Sequence, residues 1–160
     1  MSRQSAQITC HSPDETCAIA QALGPLLRPG DCLLLKGEVG AGKTHFARCL
    51  IQGLLEMPED VPSPTYTLVQ TYPGRLGDLW HADLYRLTDI GEVEELGLLE
   101  AFETAISLVE WPDRLGDLAP QTALHLTLET AATEDARQLT FEWSDATWDA
   151  RMKELCNGGS

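Results

Sequence analysis

Gly37-Glu38-Val39-Gly40-Ala41-Gly42-Lys43-Thr44 is the stretch that decides the fold. It has the GxxxxGKT spacing of a phosphate-binding loop. In such a loop the glycines let backbone N–H groups turn inward around a polyphosphate, the lysine reaches the terminal phosphates, and the threonine hydroxyl can sit on Mg²⁺. The flanks agree with this reading. The apolar run Cys32-Leu33-Leu34-Leu35 precedes the loop as a strand, and Lys43 to about Leu55 follows as a helix. The positive end of that helix would face the phosphates. A glycine-rich turn with a chance lysine is the alternative, and the fixed positions with both correct flanks disfavour it.

Working outward, a first strand is expected around Gln7 to Cys10. Ser12-Pro13-Asp14-Glu15 then opens a helix, with Ser12 as N-cap and Glu15 closing a capping box. Gly24-Pro25 ends it. Beyond the loop helix, Pro58, Pro62 and Pro64 forbid continuous helix. Leu68 to Tyr72 and Leu79 to Arg86 read as a hairpin around a turn at Pro73 to Asp78. Thr88 to Phe102 reads as one helix, weakened by Gly91 and Gly97. Ser107 to Trp111 is a buried strand stopped by Pro112. Strands at about Thr122–Leu128 and Gln138–Trp143 follow, and Ser144 can cap a last helix. The alternation predicts an α/β fold of the P-loop NTPase kind. Its mixed parallel and antiparallel central sheet is flanked by helices in a three-layer sandwich. One domain over 1–160 is expected, ordered from about 7 to 156.

The composition sets limits. Of 160 residues, 43% are apolar and 22% charged, as in ordinary globular chains. No apolar stretch approaches membrane-spanning length, and the N-terminus leads into no signal segment, so a cytoplasmic protein without membrane association is expected. Five cysteines without a CxxC pair suggest reduced thiols. The formal net charge of −14 repels phosphate backbones, so direct nucleic-acid binding is disfavoured. The only asparagine is Asn157, which removes the Asn-Lys-x-Asp element of guanine recognition. The arginines are dispersed and form no lid-like cluster, which favours ATP hydrolysis or ATP-gated binding over kinase action.

Glu110 lies at the end of an apolar strand, where an acidic residue can hold the metal or its water; a strand-end glutamate in solvent is the bland alternative. His81, Asp83 and Tyr85 would share one face of a strand. Spacing alone reads that row equally as a polar row near the site or as the wet side of an edge strand. Thr65 lies in a proline-bounded loop that reads first as a plain connection. Trp111, next to Glu110, could pack over the nucleotide site or fill the core, and it reads first as core.

In order and separation, four motifs together resemble the TsaE family over about residues 10 to 143. They are the loop at residues 37–44, Ser63-Pro64-Thr65-Tyr66, His81-Ala82-Asp83-Leu84-Tyr85-Arg86-Leu87 and Glu110-Trp111-Pro112. The resemblance implies a small bacterial ATPase needed for threonylcarbamoyladenosine modification of tRNA. It implies ATP/ADP and Mg²⁺ as ligands, with Gly37, Glu38, Val39, Gly40, Ala41, Gly42, Lys43 and Thr44 around the phosphates. Thr44 and Glu110 would bind Mg²⁺ directly or through water. Thr65 would act in a switch-like loop, and Asp83 would be needed for hydrolysis. Ser12 to Thr16 would lie near the base. TsaD and TsaB homologues would be the partners, with tRNA met only through that complex. A free-standing small-molecule kinase on the same fold stays open as the alternative, as does a nucleotide-binding regulator without turnover.

Overall fold

A computed structural model of the chain describes residues 3–38, 40–57 and 68–158. Its centre is a seven-stranded sheet in the order β1-β7-β6-β2-β5-β4-β3. The strands are β1 (Gln4–Cys10), β2 (Cys32–Lys36), β3 (Val69–Gly74), β4 (Gly77–Asp83), β5 (Ile106–Glu110), β6 (Leu124–Thr130) and β7 (Arg137–Trp143). The inner four, β6, β2, β5 and β4, run parallel to one another. Antiparallel pairs close both ends: β1 with β7, β7 with β6, and β3 with β4.

The parallel centre demands cover on both faces, and the apolar run of β2 meets that demand. Leu33 and Leu35 join a core on one face, built with α1 (Pro13–Leu23), α2 (Lys43–Leu54) and α5 (Asp149–Gly158). Cys32 and Leu34 join a second core on the other face, with Val93 of α3 (Gly91–Glu95) and Leu98 and Phe102 of α4 (Leu98–Thr104). All four side chains are at most 2% exposed. The expected mixed sheet between helices is therefore the fold.

Several local expectations needed adjustment. The segment read as one helix is two, because Gly97 takes a left-handed φ of 81° and starts α4 anew. The hairpin turn is tighter than expected, since pairing continues through Pro73↔Asp78 and Gly74↔Gly77. β4 ends at Asp83 rather than Arg86, and β1 starts at Gln4. Asp145, not Ser144, caps the last helical segment by accepting from the Thr147 N–H at 2.9 Å. Cys17 and Cys49, expected as reduced thiols, are disulfide-bonded, because α1 and α2 pack with those Cα atoms 5.3 Å apart. Among the described residues no helix is long and apolar enough to cross a membrane.

Candidate functional site

The parallel strands β2, β5 and β4 all end on one edge of the sheet. Register places Leu35 beside Glu110 and Glu110 beside Asp83. That edge, at the carboxyl ends of parallel strands, is where open α/β sheets gather ligands. The loop of residues 37–44 leaves β2 here and enters α2.

Two contrasts show how the loop is built. α1 carries the side-chain cap read from its sequence, Ser12 Oγ accepting from the Glu15 N–H at 3.1 Å. α2 carries none: its N-cap is Gly42, with φ 104° and ψ 14°, and no side chain bonds the first-turn amides. Those donors are left for a ligand, at the positive end of a twelve-residue helix. Gly37 is needed for a different reason. A Cβ there would lie 2.5 Å from the carbonyl oxygen of Leu128 on β6. The loop thus starts pressed against the neighbouring strand.

Lys43 is only 5% exposed. Its Nζ donates to the carbonyl of Gly37 and to that of Glu38 at 3.1 Å. The ammonium also lies 4.0 Å from the centre of the Trp111 ring. Burial pushes its pKa below the usual lysine range, against the pull of Glu110, Asp83 and Asp113.

The Thr44 hydroxyl donates to Glu110 Oε1 at 2.8 Å. Glu110 is 2% exposed, and its other oxygen, Oε2, lies 2.7 Å from Nε2 of the fully buried His81. Asp83 stands next on β4. Its Oδ1 accepts from the Tyr85 N–H at 3.1 Å. Burial raises its pKa above the usual carboxylate range and Glu110 adds to this, while the Tyr85 N–H, His81 and Lys43 oppose it. The Thr44 hydroxyl and the buried Glu110 carboxylate, in contact, form a pair of oxygen donors, with Asp83 beside them on the next strand. That set fits a hard divalent cation such as Mg²⁺, which commonly takes one or two carboxylates and completes its shell with water and phosphate. Among the described residues no group of three or more His, Cys, Asp or Glu forms a cage by itself.

The structure thus brings together Gly37, Glu38, Gly40, Ala41, Gly42, Lys43, Thr44, Asp83 and Glu110. Thr65 and Val39 lie outside the described residues. Thr16 is 2% exposed, and its hydroxyl turns to the Ser12 carbonyl at 3.3 Å. His45 Nε2, 3.1 Å from the Pro13 carbonyl, ties the first turn of α2 to the start of α1.

Two residues at this edge, Trp111 and His81, had a site role left open by the sequence, and a third, Arg137, had none. Trp111, expected first as core, is partly buried against the second core and also lies over Lys43, with the Tyr85 ring tilted against it at 5.0 Å between centroids. It is the one non-glycine residue with positive φ among those described (φ 59°, ψ 54°), held there where β5 breaks into a turn before Pro112. His81, expected on a polar face, is fully buried with Nε2 on Glu110 of β5. Arg137 of β7 donates from Nε to the Ala41 carbonyl at 3.0 Å and from Nη2 to the Gly40 carbonyl at 3.4 Å. It grips the outward carbonyls of the loop from behind. The Glu110-Trp111-Pro112 spacing is the only sequence signal that singles out Trp111, and nothing local marks Arg137.

A mixed sheet with a parallel centre, covered on both faces, whose central strand feeds a GxxxxGKT turn and an uncapped helix, defines the phosphate-loop class of α/β proteins. A family model described as "Threonylcarbamoyl adenosine biosynthesis protein TsaE" matches residues 10–139. The chain belongs to the TsaE family. It is 39% identical over 145 residues to the tRNA threonylcarbamoyladenosine biosynthesis protein TsaE of Bacillus subtilis, covering 90% of this chain and 89% of that one. It is 35% identical to the Rickettsia bellii protein of the same name, covering 81% and 90%. The crystal structure of Bacillus subtilis YdiB superposes with a TM-score of 0.83 at 29% identity, over 100% of this chain and 99% of that chain.

Proposed function

We propose that this chain is the Mg²⁺-dependent, ATP-binding and slowly ATP-hydrolysing subunit required for threonylcarbamoyladenosine modification of tRNA, acting with a TsaD–TsaB pair. The observation that carries the reading is the 2.8 Å contact between Thr44 and Glu110 beside an uncapped helix start. Family membership supports the pathway, since the relatives are named for that biosynthesis.

In this reading the loop amides and the first turn of α2 bind the polyphosphate. Lys43 exchanges its two loop carbonyls for phosphate oxygens, which are stronger acceptors. Thr44 and Glu110 would hold Mg²⁺, which when bound offsets phosphate charge and polarises the terminal phosphoryl group. Asp83 orients the attacking water from the end of β4, and its raised pKa suits brief proton acceptance. Water adds to the terminal phosphorus, the bond to the bridging oxygen breaks, and ADP and inorganic phosphate leave. The charge of −14 supports protein partners over direct RNA contact.

The test combines calorimetric titration of ATP, with and without Mg²⁺, and phosphate release with and without a TsaD–TsaB mixture. Tight Mg²⁺-linked binding and stimulated release are expected, and Asp83→Ala should abolish release while leaving binding intact. Transfer of labelled phosphate to a small molecule would replace this reading with that of a kinase.

A further inference from the structure

We infer that His81 is a positioning residue for the metal site, acting through Glu110; the inference rests on the reading just given. Its surroundings do not call for a histidine. Leu79, two residues earlier on the same face of β4, is fully buried, as is Leu108, its register partner on β5. A leucine or phenylalanine would fill such a position. His81 instead leaves Nδ1 buried with no partner among the described residues. A buried unpaired nitrogen is a defect that native proteins seldom keep without a use.

The compensating contact is the one from Nε2 to Glu110 Oε2 at 2.7 Å. With Thr44 on Oε1 and His81 on Oε2, both carboxylate oxygens are fixed, so the plane of the group is fixed as well. A glutamate held at one oxygen keeps rotamer freedom, and immobilising it has to come from the ligand's binding energy. Fixing it beforehand is what outer partners of metal-binding groups do, and removing them typically weakens metal affinity about 10- to 100-fold. The geometry also explains why the two residues come as His-x-Asp. At a spacing of two, one strand sends Asp83 to the open edge and His81 behind the carboxylate.

The experiment measures the affinity of a non-hydrolysable ATP analogue with Mg²⁺ and with EDTA, and takes the ratio as the metal coupling. His81→Phe keeps the ring volume and removes the donor. His81→Gln places an amide near the lost Nε2, and His81→Asn places one near Nδ1, away from Glu110. The coupling should fall about tenfold in Phe and Asn and stay within about threefold of wild type in Gln. Affinity in EDTA should be unchanged in all three. Thermal denaturation without metal should show Phe and Asn alike, because both leave the buried Glu110 Oε2 without its partner. A packing role predicts a Phe variant with intact metal coupling whatever its stability, and that result overturns the inference. So does equal loss in Gln and Phe. If Phe fails to fold, Gln against Asn decides by the same criterion. Wild-type protein with no metal coupling at all overturns the underlying reading and this inference together, whereas coupling that is present but insensitive to His81 overturns only the latter.

Discussion

Replacing Gly37 by alanine tests whether the loop's close approach to β6 sets its ligand affinity. The added Cβ would stand 2.5 Å from the Leu128 carbonyl oxygen and 3.2 Å from Ala41 Cβ. Real Cβ contacts essentially never fall under 3.0 Å, so the loop or the strand must yield by at least half an ångström. The φ of +144° adds strain of its own. Loop amides displaced by that much weaken their bonds to a phosphate. Intact bonds of this charged kind contribute about 1.5–3 kcal/mol each. Losing about half of that from two of them is about 2 kcal/mol, or roughly 30-fold in ATP affinity. Gly40 supplies the control. Its φ is +85°, but a Cβ there meets nothing within 4 Å. Gly40→Ala therefore carries left-handed strain alone, about 1 kcal/mol, and should stay within about fivefold of wild type. Calorimetric titration of ATP into both variants, with circular dichroism to check folding, makes the comparison. Equal affinities for the two variants, or wild-type affinity in Gly37→Ala, would refute the argument from the Leu128 contact.

Lys43→Met should lower ATP affinity by roughly 10- to 100-fold, the worth of a charged donor, and affect AMP much less; equal losses for both nucleotides would remove Lys43 from the terminal phosphates. Burial, together with Lys36 and Arg3, lowers His125 to a pKa of about 4 against the pull of Glu142. The neutral ring is then favoured in the fold while the unfolded chain takes up the proton near pH 6.5, so its contribution is complete above that value and fades toward pH 4. Urea titrations should show wild type losing about 1 kcal/mol between pH 7 and 5 relative to His125→Asn, a figure reduced for partial exposure; parallel curves would contradict this. Opening the Cys17–Cys49 bond, which spans 32 residues of sequence, should destabilise the fold by about 3–4 kcal/mol, read as a lower urea midpoint under reductant that Cys17→Ser does not show.

What could be read from the sequence was what short-range chemistry determines. The loop, the strand before it and the helix after it follow from residues within about one helical turn of one another, and so does the Ser12 cap. Glu110 could be placed because strand ends in this class meet at one edge. The errors share a cause. Whether Gly97 breaks a helix or bends it depends on what α3 and α4 pack against. The contact of His81 with Glu110 joins positions 29 apart, and the grip of Arg137 joins positions 96 and 97 apart. Trp111 packs partly against the second core, as an isolated tryptophan is expected to, but its second contact, with Lys43, joins positions far apart in the chain. The Cys17–Cys49 bond depends on the contact between two helices, which spacing along the chain does not reveal.

The Lys43 ammonium is already engaged within its own loop, wrapped by two carbonyls and an indole face. Any visitor has to outbid those hosts before it gains the cation. A molecule too short to reach it leaves the wrapping undisturbed and is held by the amides alone. On the function proposed above, this arrangement would act as a length gauge, favouring the longest phosphate chain among the nucleotides that reach the loop.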